Sequence, residues 1–88
     1  MLTPQEKEKI IKDYKLNDRD TGSADVQIAL LTEEIKRLLE HLKTHKKDEH
    51  SRHGLLKMLI KRKRLLKFLE REEKRRYNAI LKKIKGLV

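Results

Sequence analysis

Apolar residues recur at helical spacing in four separate stretches of the chain. Ile10, Ile11 and Tyr14 form a short stripe behind Thr3-Pro4-Gln5-Glu6. There Thr3 can cap a helix, Pro4 suits the first helical position, and Glu6 completes a capping box. These signals predict a first helix over about 4–15. Ile28, Leu31, Ile35, Leu38 and Leu42 then alternate spacings of 3 and 4, a heptad-like seam. Ser23 is a good cap for it, and Asp25 falls in the first turn, where the helix dipole favours an acid. A second helix is predicted over about 24–44, roughly 30 Å long at the usual rise per residue. The pattern breaks at 44–51, where Asp48 can cap a third helix. It resumes with Leu55, Leu56, Met58, Leu59, Leu65, Leu66 and Leu69, which predict that helix over about 50–72. Tyr77, Ile80, Leu81 and Ile84 predict a last short helix, with Gly86 as its C-terminal cap. No segment alternates as a strand does.

The expected fold is therefore all-α and a single domain over residues 1–88. Helices 2 and 3, similar in length and joined by a short polar turn, form a long antiparallel hairpin flanked by short helices 1 and 4. A chain of 88 residues, 36% hydrophobic and 43% charged, has a thin core in which each helix contributes one apolar stripe. Tyr14 and Tyr77 stand at apolar helical positions and are expected in that core.

Charge changes the picture from a fold to a class of partner. The formal net charge is +10, above the ~2–8 that solubility asks of a small domain. It is also uneven: residues 1–44 hold 8 basic and 9 acidic side chains, residues 45–88 hold 16 and 5. A field of that sign attracts polyphosphate backbones or anionic membrane surfaces. Lys61-Arg62-Lys63-Arg64, with Lys57 and Lys67, wraps around helix 3, so some of these side chains face phosphate and others face solvent. Arg71, Lys74, Arg75 and Arg76 alternate with Glu70, Glu72 and Glu73, which points to pairing within the helix.

The candidate chemistry is binding, with no enzyme activity and no cofactor expected. The sequence has no Gly-rich phosphate loop, no nucleophile elbow, no His-Glu-x-x-His and no cysteine, so disulfides and thiolate metal sites are excluded. The charged N-terminus has no signal-peptide pattern, and the longest apolar run, Ile28 to Leu31, is far too short to span a bilayer, so a cytoplasmic address is expected. His41, His45, His50 and His53 cluster around the predicted turn, and His41 and His45 share a helix face. Three readings stay open for them: a metal site, ordinary polar helix ends, or hydrogen bonds to bases and riboses. Nearby Lys43, Lys46, Lys47 and Arg52 oppose a metal cation. Three aromatics, Tyr14, Phe68 and Tyr77, are too few for the stacking platforms of a single-strand binder. That favours duplex or junction RNA, read through phosphates and 2′-hydroxyls in a wide minor groove. Two other classes compete. One is a helical module docking another protein, whose mark is an exposed apolar stripe; helices 1 and 4 are expected to cover the stripe present. The other is a basic amphipathic membrane binder, opposed by the absence of Trp.

Several stretches taken together carry a resemblance. Asp20-Thr21-Gly22-Ser23, Val26-Gln27, Glu40-His41-Leu42, His45-Lys46-Lys47-Asp48, His50-Ser51-Arg52 and Gly54-Leu55-Leu56 resemble the bacterial small-subunit ribosomal protein number fifteen family, and the likeness covers the whole chain. The resemblance implies four helices with the long hairpin. It also implies binding to a three-way junction in the central domain of small-subunit ribosomal RNA, early enough for other small-subunit proteins to join afterwards and build the platform. Thr21, Gly22 and Gln27 are the implied junction contacts. His41, His45, Asp48 and Ser51 are the implied contacts to a nearby duplex in its minor groove. Arg64 and Phe68 on helix 3 complete the expected RNA-binding set, with Phe68 standing where the family usually has Tyr. Glu34 stands where the family usually has Arg, so junction binding is expected to be weaker than in a member carrying both. The implied partners are small-subunit ribosomal RNA, neighbouring small-subunit proteins and large-subunit RNA. No membrane partner is implied, and the free chain is expected to be a monomer.

Overall fold

The computed structural model describes residues 2–17 and 22–84. Four helices and no strand are present among them: α1 (Pro4–Tyr14), α2 (Ala24–Thr44), α3 (Glu49–Glu72) and α4 (Lys74–Lys83). The predicted starts hold at the level of single hydrogen bonds. Glu6 N–H donates to the Thr3 hydroxyl, and Thr3 N–H donates to the Glu6 carboxylate at 3.0 Å, the full capping box. Ser23 Oγ accepts from Val26 N–H at 3.2 Å, and Asp48 accepts from Ser51 N–H at 3.0 Å. The predicted cap at Gly86 lies outside the described residues.

α2 and α3 lie antiparallel as the long hairpin, with α1 against α2 and α4 against α3. A single residue, Glu73, ends α3 and starts α4; its non-helical backbone, with φ −144° and ψ 70°, turns the last helix back towards the hairpin. The core sits at that open end. Ile28, Leu69, Ile80 and Ile84 are buried together, and Tyr14, Ala24, Leu65, Leu66 and Tyr77 pack on them, as the tyrosines' spacing predicted. Burying each large side chain fully contributes about 1.5–3 kcal/mol.

At the turn end only two helices face each other, and cover is incomplete. Leu56 is 55% exposed, and Leu39, Leu59 and Ile60 are also exposed. The expectation that α1 and α4 cover the apolar stripe is thus corrected. They flank the open end of the hairpin, and α3 carries apolar residues on more of its circumference than α2 can bury.

Arg62 corrects a second expectation. It belongs to the basic run, yet it is buried, and its Nε has no hydrogen-bond partner. Position 62 shares a stripe with Met58, Leu65 and Leu69, so the helix carries it inward. Burial pushes its guanidinium pKa down. Asp25 is buried as well. Arg76 Nε, from α4, donates to its carboxylate at 3.0 Å, pinning the last helix to the first turn of α2. At the other flank Arg37 of α2 donates to Glu6 of α1, with Nη1 to Oε1 at 3.1 Å, and Lys83 of α4 reaches the Asp13 carbonyl and lies 4.9 Å from the Tyr14 ring centroid.

Candidate nucleic-acid interface

The expected RNA-binding residues that the structure describes fall into two groups, one towards each end of the α2–α3 hairpin. Gln27, Glu34 and His41 are seven residues apart, and His45 comes four later, so all four share a stripe on α2. At 1.5 Å per residue, Gln27 and His41 stand about 20 Å apart along the axis.

The first group is at the turn. His41, in the last turns of α2, and Asp48, the cap of α3, meet at 2.8 Å between Nε2 and Oδ2. A carboxylate only accepts, so the imidazole proton is on Nε2. Asp48 also accepts from Ser51, through the hydroxyl at 2.7 Å and the backbone N–H at 3.0 Å. The Ser51 hydroxyl first, then His41, then the Ser51 amide hold the Asp48 carboxyl well below the usual carboxylate range. The His45 ring stacks on that of His41, with centroids 4.2 Å apart and planes 7° from parallel. His45 Nδ1 lies 2.9 Å from the Thr44 hydroxyl and 3.1 Å from the His41 carbonyl, and these contacts anchor the ring. All four residues therefore belong to one preorganised cluster. Of the three readings of the histidines, none of a metal kind is supported: no group of His, Cys, Asp or Glu suited to a metal ion exists among the described residues.

The second group is at the open end. Gln27 Nε2 donates to the Gly22 carbonyl at 2.7 Å, so Gly22 is tied to the first turn of α2. Among the described residues nothing lies within 4 Å of where a Cβ on Gly22 would be, and its φ is not in the left-handed region. The chain's own packing does not require glycine there. Thr21 lies outside the described residues. Arg64 and Phe68 project from α3 near this end, four residues apart and both exposed, Phe68 by 43%. Neither group touches the other.

Between them runs an open groove of about 400 Å³, lined by Glu34, Arg37 and His41 on α2 and by Ser51, Gly54 and Met58 on α3. A Cβ at Gly54 would meet Leu38 Cδ2 at 3.9 Å, an ordinary contact, so the approach of the helices does not require glycine there. The groove shape was not legible from sequence. Nor were the Asp25–Arg76 and Glu6–Arg37 pairs, whose partners are 51 and 31 residues apart.

The model of the family described as Ribosomal protein S15 matches residues 7–86. The chain belongs to that family. It is 55% identical over 83 residues to the small ribosomal subunit protein uS15 of Dictyoglomus thermophilum, covering 94% of this chain and 93% of that protein. It is 55% identical over 84 residues to the protein of the same name from Caldanaerobacter subterraneus, covering 96% of each, and 50% identical over 84 residues to that of Herpetosiphon aurantiacus. Membership in the Ribosomal protein S15 family makes the chain a structural, non-enzymatic constituent of the small ribosomal subunit, with the cytoplasmic place that implies.

Proposed function

We propose that the chain binds a three-way junction in the central domain of small-subunit ribosomal RNA and thereby nucleates assembly of the platform. The observation that carries this reading is the pair of polar groups whose α2 members, Gln27 and His41, stand about 20 Å apart on one stripe of that helix. Gly22 and Gln27, with Thr21, Arg64 and Phe68, take the junction. His41, His45, Asp48 and Ser51 take an adjoining duplex through its minor groove, where ribose hydroxyls and guanine amino groups offer matching donors and acceptors. The excess positive charge on the C-terminal half adds sequence-independent attraction to phosphates. Neighbouring small-subunit proteins and large-subunit RNA are the further partners, and the free chain is a monomer.

A binding titration against three RNAs of equal length, each at two salt concentrations, tests this: a central-domain three-way junction, a plain duplex and a single strand. The junction is expected to bind at least tenfold tighter at both salts. Equal binding that vanishes at high salt contradicts the reading, because it leaves only a polyanion surface. In that case the exposed Leu39, Leu56, Leu59 and Ile60 favour a protein-docking module instead.

A further inference from the structure

The groove between the two polar groups holds one carboxylate whose hydrogen-bonding capacity is unused. Asp48 already accepts three hydrogen bonds, two from Ser51 and one from His41. Glu33 lies against Arg37, and Glu6 also takes Arg37. Glu34 is half-buried in the groove wall, and among the described residues it makes no hydrogen bond and no ion pair. It stands midway on the stripe from Gln27 to His41, about 10 Å along the axis from each. A nucleic acid that touches both groups therefore passes over Glu34.

A carboxylate in that position repels phosphate but matches any donor it meets. The shallow minor groove of an RNA duplex displays two donors, the guanine 2-amino group and the ribose 2′-hydroxyl. We propose that Glu34 is a specificity-determining residue that accepts a hydrogen bond from one of these donors, so that the groove reads the RNA minor groove between the two polar groups. The proposal rests on the junction-binding reading above. It gives Glu34 a role opposite to that of a phosphate clamp: it lowers attraction to any polyanion and raises discrimination among RNAs. Arg37, one turn on and in the same groove wall, is held by Glu6 and Glu33 and keeps local charge balanced without occupying the Glu34 oxygens.

The test uses the full chain and the junction RNA in three forms: unmodified, with guanosines replaced by inosine in the duplex segment spanning the groove, and with 2′-deoxyriboses in that segment. Binding is measured for the wild type, Glu34→Ala and Glu34→Gln. The wild type should lose about tenfold on one arm, the inosine arm if the donor is the amino group and the deoxy arm if it is the hydroxyl. Glu34→Ala should lose several-fold less on that arm relative to its own binding of unmodified RNA, the remaining loss coming from His41 and Ser51, which line the same groove. Glu34→Gln should fall between, because the amide keeps one acceptor oxygen. Thermal midpoints equal to wild type confirm that the variants fold, as an unpartnered side chain predicts. A Glu34→Ala penalty as large as the wild type's on both arms, or a wild type penalised on neither, overturns the assignment while leaving junction binding intact. A wild type indifferent to the junction overturns both.

Discussion

His41 Nε2 and Asp48 Oδ2, 2.8 Å apart, close the turn of the hairpin by joining the end of one long helix to the cap of the next. The same carboxylate caps α3 and is held by the Ser51 hydroxyl and amide. Fold and interface therefore share these atoms, and their loss has a pH signature. The Asp48 carboxyl titrates well below the ordinary carboxylate range in the folded chain and near 3.9 when unfolded. Its contribution is complete above about pH 5 and is lost as pH falls through the unfolded value towards the folded one. Asp48→Asn keeps a capping side chain but does not titrate. Thermal midpoints measured from pH 6 to pH 2.5 should fall more steeply for the wild type than for Asp48→Asn, and parallel curves would contradict the network.

Gly22 separates binding from folding. With free space at the Cβ position and no positive φ, Gly22→Ala should leave the midpoint unchanged or raise stability by about 0.4–1 kcal/mol. The same change should weaken junction binding several-fold, because the methyl group stands where RNA approaches the backbone. Calorimetry and an RNA titration on one preparation measure both effects.

The Asp25–Arg76 pair is unequal in its surroundings: the Asp25 side chain is 8% exposed and the Arg76 side chain 30%. Removing the arginine leaves a buried carboxylate without its main partner, at a cost of about 3 kcal/mol. Removing the acid leaves an arginine that can turn to water. Arg76→Met should therefore destabilise more than Asp25→Asn in urea unfolding, and the reverse order would show that the carboxylate is satisfied by other groups.

Arg62 offers a stabilising change. A buried guanidinium with an unpartnered Nε–H costs about 1–3 kcal/mol, and an apolar side chain of similar reach fits the stripe of Met58, Leu65 and Leu69. Arg62→Met should raise the midpoint by several degrees and leave junction affinity unchanged, since the residue is only 8% exposed. A loss of RNA binding in a folded Arg62→Met chain would mean that the arginine turns outward on binding.

Helix limits were legible in the sequence because caps act locally. Thr3, Ser23 and Asp48 each bond a backbone amide three residues on, within reach of pattern reading. The pairing of His41 with Asp48 was half legible: both were expected at the interface, but their direct contact depends on how the turn folds back. What escaped depends on packing between distant segments. Arg62 was read with the basic run, as facing phosphate or solvent, because Lys61, Lys63 and Arg64 surround it in sequence, although its spacing to Leu65 and Leu69 already placed it on the core stripe. Leu56 and Leu59 fit the apolar pattern yet lie exposed, since periodicity does not say how many helices will cover a face. Glu34 was legible as an acid on the Gln27–His41 stripe, but its lack of a partner is a property of the assembled groove.

The most direct measurement compares junction and plain duplex for the wild type and for the double variant Gln27→Ala with His45→Ala, at one salt concentration. One substitution falls in each polar group, and neither touches the basic run on α3. If the two groups read the junction, the wild type prefers it at least tenfold and the double variant binds both RNAs about equally. A double variant that folds and keeps the full preference would contradict the account, because the discrimination would then come from another surface of the molecule.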